Sequence, residues 1–251
     1  MEQDKQDNPN YSIPGAIVVA GLIIAGSIYY GGRAGSTTPN NQLGAAADGN
    51  APTAGKNEES FNFKAMRPVS REDRILGDAN APIKIVEYSD MECPFCKSFH
   101  ETMHQVMDAY PGKIAWVYRH FPLSQLHSKA PKEAAAAECA YTLGSNDIFW
   151  AYIDKVFETT PSNNNLDLTL LPKIATDVGL DQKKFEECLT NDTTAPYVAK
   201  DYQNAVDIGA QGTPFPVIIT PKGETFALGG AAPFDVMKQV IDNILDDKPA
   251  N

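Results

Sequence analysis

An apolar, β-branched run at residues 83–88 leads into Cys93-Pro94-Phe95-Cys96, and these cysteines open a helical pattern that covers residues 95–110. A strand-to-helix turn of this kind admits few folds. It places the first cysteine at a helix N-terminus, where unpaired N–H groups and the positive end of the macrodipole favour a thiolate. Two cysteines with that spacing close into a disulfide and reopen with little backbone movement, so the pair can cycle between redox states. The same spacing also supplies half of a zinc site, so the rest of the chain has to decide between the two chemistries.

The elements that follow narrow the fold. Phe95, Phe99, Met103, Val106, Met107 and Tyr110 recur at helical spacing, and Pro111-Gly112 ends that helix. Residues 113–120 alternate as a strand, with Ile114, Trp116 and Tyr118 on one face. The three elements form a βαβ unit, whose strands should be parallel and whose crossover should be right-handed. Helical patterns then cover an alanine-rich stretch between Pro131 and Gly144, followed by residues 148–157, 168–178, 182–189 and 195–208. Strands return at 215–220 and 224–228 around the turn Pro221-Lys222-Gly223, and 234–245 is an amphipathic helix. Upstream, Leu76-Gly77-Asp78-Ala79-Asn80-Ala81-Pro82 reads as a turn-rich lead into the first clear strand.

The first quarter of the 251-residue chain has a different character. After a short tail (1–12), residues 13–30 are apolar or small throughout and just long enough to span a bilayer, with Tyr29 and Tyr30 suited to the interface. A cleaved signal peptide normally has a basic lead, whereas Glu2, Asp4 and Asp7 make this one acidic, so an uncleaved anchor is expected. The flanking charges leave its orientation open. Residues 31–65 are mostly Gly, Ala, Asn, Thr, Ser and Pro and read as a flexible linker to a head at 66–248. A net charge of −11 without a basic cluster argues against nucleic acid as a partner.

Several separated motifs resemble the DsbA-like branch of the thioredoxin superfamily. They are Ile85-Val86-Glu87-Tyr88-Ser89-Asp90-Met91-Glu92-Cys93-Pro94-Phe95-Cys96, Arg119-His120-Phe121-Pro122-Leu123, Gly209-Ala210-Gln211-Gly212-Thr213-Pro214 and Gly229-Gly230-Ala231-Ala232-Pro233-Phe234. The resemblance implies an α/β thioredoxin fold with a helical insertion at about 124–210. It makes Cys93 the attacking thiol and Cys96 the resolving one, with Pro94 and Phe95 in the active-site loop. It also implies that Thr213 and Pro214 face them through a cis peptide bond, and that Thr213 offers its backbone to an extended substrate. Pro216 departs from the pattern by removing an N–H at the start of that strand, so the edge is expected either to bind substrate differently or to tolerate a proline that had no ladder partner.

Around this pair, Asp90 and Glu92 are expected to raise the Cys93 pKa, against the helix terminus. Glu87 lies in the apolar strand six residues before Cys93, where a carboxyl of raised pKa could exchange protons with Cys96; a strand-end glutamate reaching water is the alternative. Relatives with a structural disulfide at matching places imply a Cys139–Cys188 bond, with two buried free thiols as the alternative. No metal site is expected, and His100, His104, His120 and His127 are assigned surface or capping roles.

The resemblance implies a thiol-disulfide oxidoreductase without a bound cofactor; the apolar stretch at 13–30 makes it single-pass in the cell membrane, with the catalytic domain expected on the extracytoplasmic side, and a tether too short and polar for a dimerisation domain favours a monomer. Its expected partners are cysteine-containing exported proteins and a membrane quinone-linked oxidase. A reductase or isomerase of the same fold, and a tethered binding module or holdase without redox turnover, are the rival readings.

Overall fold

The computed structural model describes residues 61–246. The expected tail (1–12), membrane anchor (13–30) and most of the expected linker (31–65) lie outside the described residues. Among the described residues, no helix is long and apolar enough to cross a membrane. Residues 61–65 fall within the expected linker and are nonetheless packed. Phe61 stacks edge-on against Phe215 at 5.0 Å, Phe63 lies beside it, and the Asn62 N–H donates to the Ile208 carbonyl (3.1 Å). Two aromatic rings give this short stretch apolar surface that the Gly- and Ala-rich residues before it lack.

The chain forms a five-stranded sheet in the order β1-β3-β2-β4-β5. The strands are β1 (Arg74–Gly77), β2 (Ile83–Ser89), β3 (Ile114–His120), β4 (Phe215–Ile219) and β5 (Thr225–Ala227). β2 and β3 run parallel from Ile83 opposite Ile114 to Ser89 opposite His120, and the other pairings are antiparallel. The expected βαβ unit is closed by helix α1 (Pro94–Ala109). The insertion holds α2 (Ala130–Leu143), α3 (Asn146–Thr159), α4 (Leu171–Asp177), α5 (Gln182–Asn191) and α6 (Ala195–Asp207), and α7 (Phe234–Asp246) follows the β4–β5 hairpin.

Side-chain alternation divides the core in two. Ile83, Ile85, Ile114, Trp116 and Tyr118 face α1, α7 and most of the insertion, meeting Phe99, Met103, Phe149, Met237 and Ile241. Val86, Tyr88, Val117, Phe215 and Val217 face the other way, toward Ala205 and Ile208. The same period of two puts Glu87 on the first face, inside the core.

Two boundaries differ from the sequence reading. The expected helix at 168–178 is a 3-10 turn (Leu168–Leu170) followed by α4, because Pro172, in the first turn of α4, has no N–H to continue a helix from upstream. The turn-rich lead begins inside the edge strand β1, whose four residues carry no alternation to announce it. Tertiary contacts hold it instead. Asn146 accepts from the Ile75 N–H (3.1 Å) and donates to its carbonyl (2.7 Å), covering the open edge. The Arg74 guanidinium pairs with Glu138 and lies 3.4 Å from the centre of the Tyr141 ring. At Gly77 φ is +91°, and a Cβ would stand 2.6 Å from the Ile114 carbonyl oxygen, so only glycine fits.

A disulfide ties the insertion to itself, and a buried arginine fastens it to the sheet. Cys139 of α2 and Cys188 of α5 form a disulfide across 49 residues. Arg119, fully buried at the end of β3, donates to Asp73 (3.0 Å), Tyr88 Oη (3.0 Å), Asn204 Oδ1 (3.0 Å) and the Arg67 carbonyl (2.9 Å). Replacing both cysteines (Cys139→Ala, Cys188→Ala) should lower unfolding free energy by about 2–4 kcal/mol in urea titrations and leave the Cys93 thiol reactive. Arg119→Met, which removes one of the two guanidinium partners of buried Asp73 and leaves the Arg67 pair in place, should cost about 1–3 kcal/mol by the same measurement.

Candidate active site

The loop from β2 to α1 makes Cys93 the N-cap residue of α1, with Pro94 in the first turn, where its missing N–H costs nothing. The Cys93 N–H donates to the Asp90 carbonyl (3.1 Å), closing the turn that aims the side chain outward. Cys93 is 5% exposed and Cys96 is 0% exposed, and both are free thiols. Cys93 Sγ lies 3.4 Å from the Thr213 carbonyl oxygen, and Cys96 Sγ accepts from the Asp90 N–H at 3.4 Å. The Thr213–Pro214 bond is cis, as the resemblance implied, and brings the loop before β4 to the cysteine pair. Phe95 stands 66% exposed beside them.

The two thiols differ in proton affinity. A hydrogen bond from the Cys96 thiol leads in drawing the Cys93 pKa down to about 6; burial opposes it, while Thr213 and the N–H groups of Cys96 and Phe95 assist. Burial drives Cys96 well above the ordinary thiol value, and the hydrogen bond and charge at Cys93 add to the effect. One proton held on Cys96 therefore stabilises a thiolate on Cys93.

The flanking acids do not act as expected. Asp90 and Glu92 are buried with their carboxylates committed to neighbouring loops. Asp90 accepts from the N–H groups of Glu92 (2.8 Å) and Leu123 (2.8 Å) and pairs with His127 Nδ1 (2.9 Å). Glu92 accepts from the N–H groups of Asn164 and Leu166, and the Asn163 N–H donates to its carbonyl. These bonds bind the redox loop to the loop after β3 and the loop after α3. The expected rise in the Cys93 pKa is therefore replaced by a fall.

Glu87 is fully buried, which rules out the reading that it reaches water. Trp116 Nε1 donates to its Oε2 (2.9 Å), Oε1 has no partner, and burial raises its pKa to about 7. Its charge also helps to raise Cys96, so the two groups sense one another. Glu133 of α2, absent from the sequence reading, is a second buried acid. Burial, then the adjoining Glu92, pushes its pKa to about 9, so it stays protonated beside that carboxylate. Its only trace in sequence is a lone acid before the alanine run at 134–137.

The gap at Pro216 faces β5. The Leu228 N–H donates to the Pro216 carbonyl (2.9 Å), and the Leu228 carbonyl, which a Pro216 N–H would have reached, accepts from Gly230 instead (3.1 Å). A ladder partner for that N–H is therefore in place, and the proline leaves one bond to β5 unmade while Gly230 answers the freed carbonyl. Cys139 and Cys188, joined to each other, take no part in the site. The histidines are not surface groups as a set. His100, His120 and His127 are buried; His120 ends β3 against Glu138 (3.0 Å), and His100 and the half-exposed His104 meet Asp154.

Known proteins share this fold. The family described as thioredoxin matches residues 70–242. The crystal structure of Pseudomonas aeruginosa DsbA2 is 29% identical, with a TM-score of 0.60 over 72% of this chain and 98% of that one. That of Wolbachia pipientis alpha-DsbA1 is 25% identical, with a TM-score of 0.61 over 73% of this chain and 95% of that one. Curated relatives include the Na(+)/H(+) antiporter NhaA 1 of Mycolicibacterium gilvum, 31% identical over 130 residues. The match covers 51% of this chain but 20% of the antiporter, so the chain spans about a fifth of the length of such relatives.

Thiolate absorbance of the reduced protein should titrate with a midpoint near pH 6. Cys96→Ala removes the leading hydrogen bond and should move that midpoint up by about one unit. An unchanged midpoint would transfer the effect to the helix terminus.

Proposed function

The chain belongs to the thioredoxin family as a DsbA-like thiol-disulfide oxidoreductase, and from that premise we propose that Cys93 and Cys96 donate their disulfide to cysteine-containing exported proteins. The observation that carries this reading is the opposed proton affinity of the two thiols. Holding Cys93 as a thiolate near neutral pH stabilises the reduced pair, and a stabilised reduced form makes the disulfide a stronger oxidant.

In the donor direction a substrate thiolate attacks Cys93 Sγ, the Cys93–Cys96 bond breaks, and Cys96 leaves as a thiolate. Cys96 then takes a proton, since burial disfavours its charge; Glu87, with a pKa of about 7 and an unpartnered oxygen, is the acid placed to supply it. A second substrate thiolate attacks the substrate sulfur of the mixed disulfide and expels Cys93, whose low pKa makes it a good leaving group. The substrate loses two electrons and the enzyme pair gains them. Thr213 offers backbone to an extended substrate segment, and exposed Phe95 and Pro94 offer apolar surface beside it.

The apolar stretch at 13–30 supports a single-pass anchor with the head on the extracytoplasmic side, where disulfides persist; the Cys139–Cys188 bond is consistent with such a compartment. Turnover then requires a membrane quinone-linked oxidase to take the electrons from the reduced pair, and the head works as a monomer without a bound cofactor.

Equilibration of the full chain in glutathione buffers should give a reduction potential well above thioredoxin's value of about −270 mV. A value near thioredoxin's would make the protein a reductase. Activity retained in full by a Cys93→Ala, Cys96→Ala variant would make it a holdase.

A further inference from the structure

His100 and His104 stand four positions apart on α1, one turn and two turns beyond Cys96, and Asp154 faces them from α3. His100 Nε2 lies 2.7 Å from Asp154 Oδ1, His104 Nε2 lies 3.0 Å from the same oxygen, and the two nitrogens are 3.2 Å apart. Three donor atoms of metal-ligand type therefore converge within a single cleft of about 340 Å³, lined also by Lys97, Glu101, Phe157 and Glu158. As plain hydrogen bonds, the arrangement brings two N–H protons to one carboxylate oxygen and sets them against each other. A dication at that point would replace the crowding with coordination.

We propose that His100, His104 and Asp154 form a three-ligand site for a divalent transition ion of the zinc type, leaving a coordination position open to water. The donor set of two imidazoles and a carboxylate suits such an ion and not calcium or magnesium. Ligands at 2.0–2.1 Å from tetrahedral zinc are about 3.3–3.4 Å apart, so the two nitrogens need to part by only about 0.1–0.2 Å while Asp154 draws back by about 0.3–0.7 Å. His104 and Asp154, 42% and 43% exposed, have room to move, while buried His100 fixes the position. Glu101 and Glu158 add negative charge to the cleft walls. The ammonium of Lys97 is held by the Thr160 carbonyl (2.7 Å). His100 Nδ1 has no acceptor, so the outer contact that strengthens a ligating histidine is missing and the affinity is moderate, with Kd on the order of 10 µM.

Such an ion would join α1, which carries the redox pair, to α3 of the insertion. It would also sit close to Trp116, whose ring lies 5.0 Å from His100 and 5.4 Å from His104. The site stands independently of the direction of the redox reaction.

The test uses the full chain in detergent with Cys93 and Cys96 oxidised, so that no thiolate competes for metal. Calorimetric titration with Zn²⁺ should show one ion per chain, and His104→Ala and Asp154→Asn should each weaken binding at least roughly tenfold. No binding at about a hundred times the expected Kd, or equal binding by both variants, overturns the proposal. Should neither variant fold, Cu²⁺ decides on the unaltered chain: tryptophan quenching that saturates near one equivalent and is reversed by EDTA supports the site, and its absence overturns it.

Discussion

The guanidinium of Arg119 has no contact with solvent, yet it reaches the segment before β1, the middle of the sheet and the last helix of the insertion. A charge in that position is stable only if every donor is answered, and Asp73, Tyr88, Asn204 and two backbone carbonyls answer it. Asp73 also takes Arg67, which reaches on to Asp201 of α6, and the other oxygen of Asp201 accepts from the His120 N–H. The network thus sets where β2 and β3 end. Those strand ends determine where the redox loop starts and where the loop after β3 meets it through Asp90.

From that frame the site obtains an asymmetry that burial alone would not produce. Both cysteines are nearly or wholly shielded from water, and shielding by itself raises both pKa values. The difference comes from hydrogen-bond direction, since Cys93 stands at the helix terminus and receives a bond while the deeper Cys96 supplies it. Asp90 and Glu92 could have cancelled this effect. The fold turns their charge to structural use by giving each carboxylate N–H partners from a neighbouring loop, Asp90 from the loop after β3 and Glu92 from the loop after α3.

Much of this is written locally in the chain. The period of two in β2 and β3 and the helical period of α1 and α7 identify those elements, and a cysteine pair between a strand and a helix identifies the chemistry. β1 is not legible because its order comes from Asn146 and Glu138, more than sixty residues away, and not from a pattern of its own. The influence of Asp90 and Glu92 on Cys93 was misjudged because adjacency in sequence does not say which way a carboxylate points. Glu133 and His127 matter only through partners that the fold brings to them, and no spacing marks either one. Asp154 joins two histidines across an interval of about fifty residues, which is why a helix-face pair alone gave no hint of a third ligand.

Phe95 remains two-thirds wet beside the reacting sulfur. Covering a ring of that size is worth about 1.5–3 kcal/mol, enough to lengthen an encounter by roughly ten- to a hundredfold but too little to hold a partner by itself. A visiting chain therefore stays for a time governed by the mixed disulfide, and it departs once that covalent link is exchanged. A ring of this kind reads greasiness and no particular sequence.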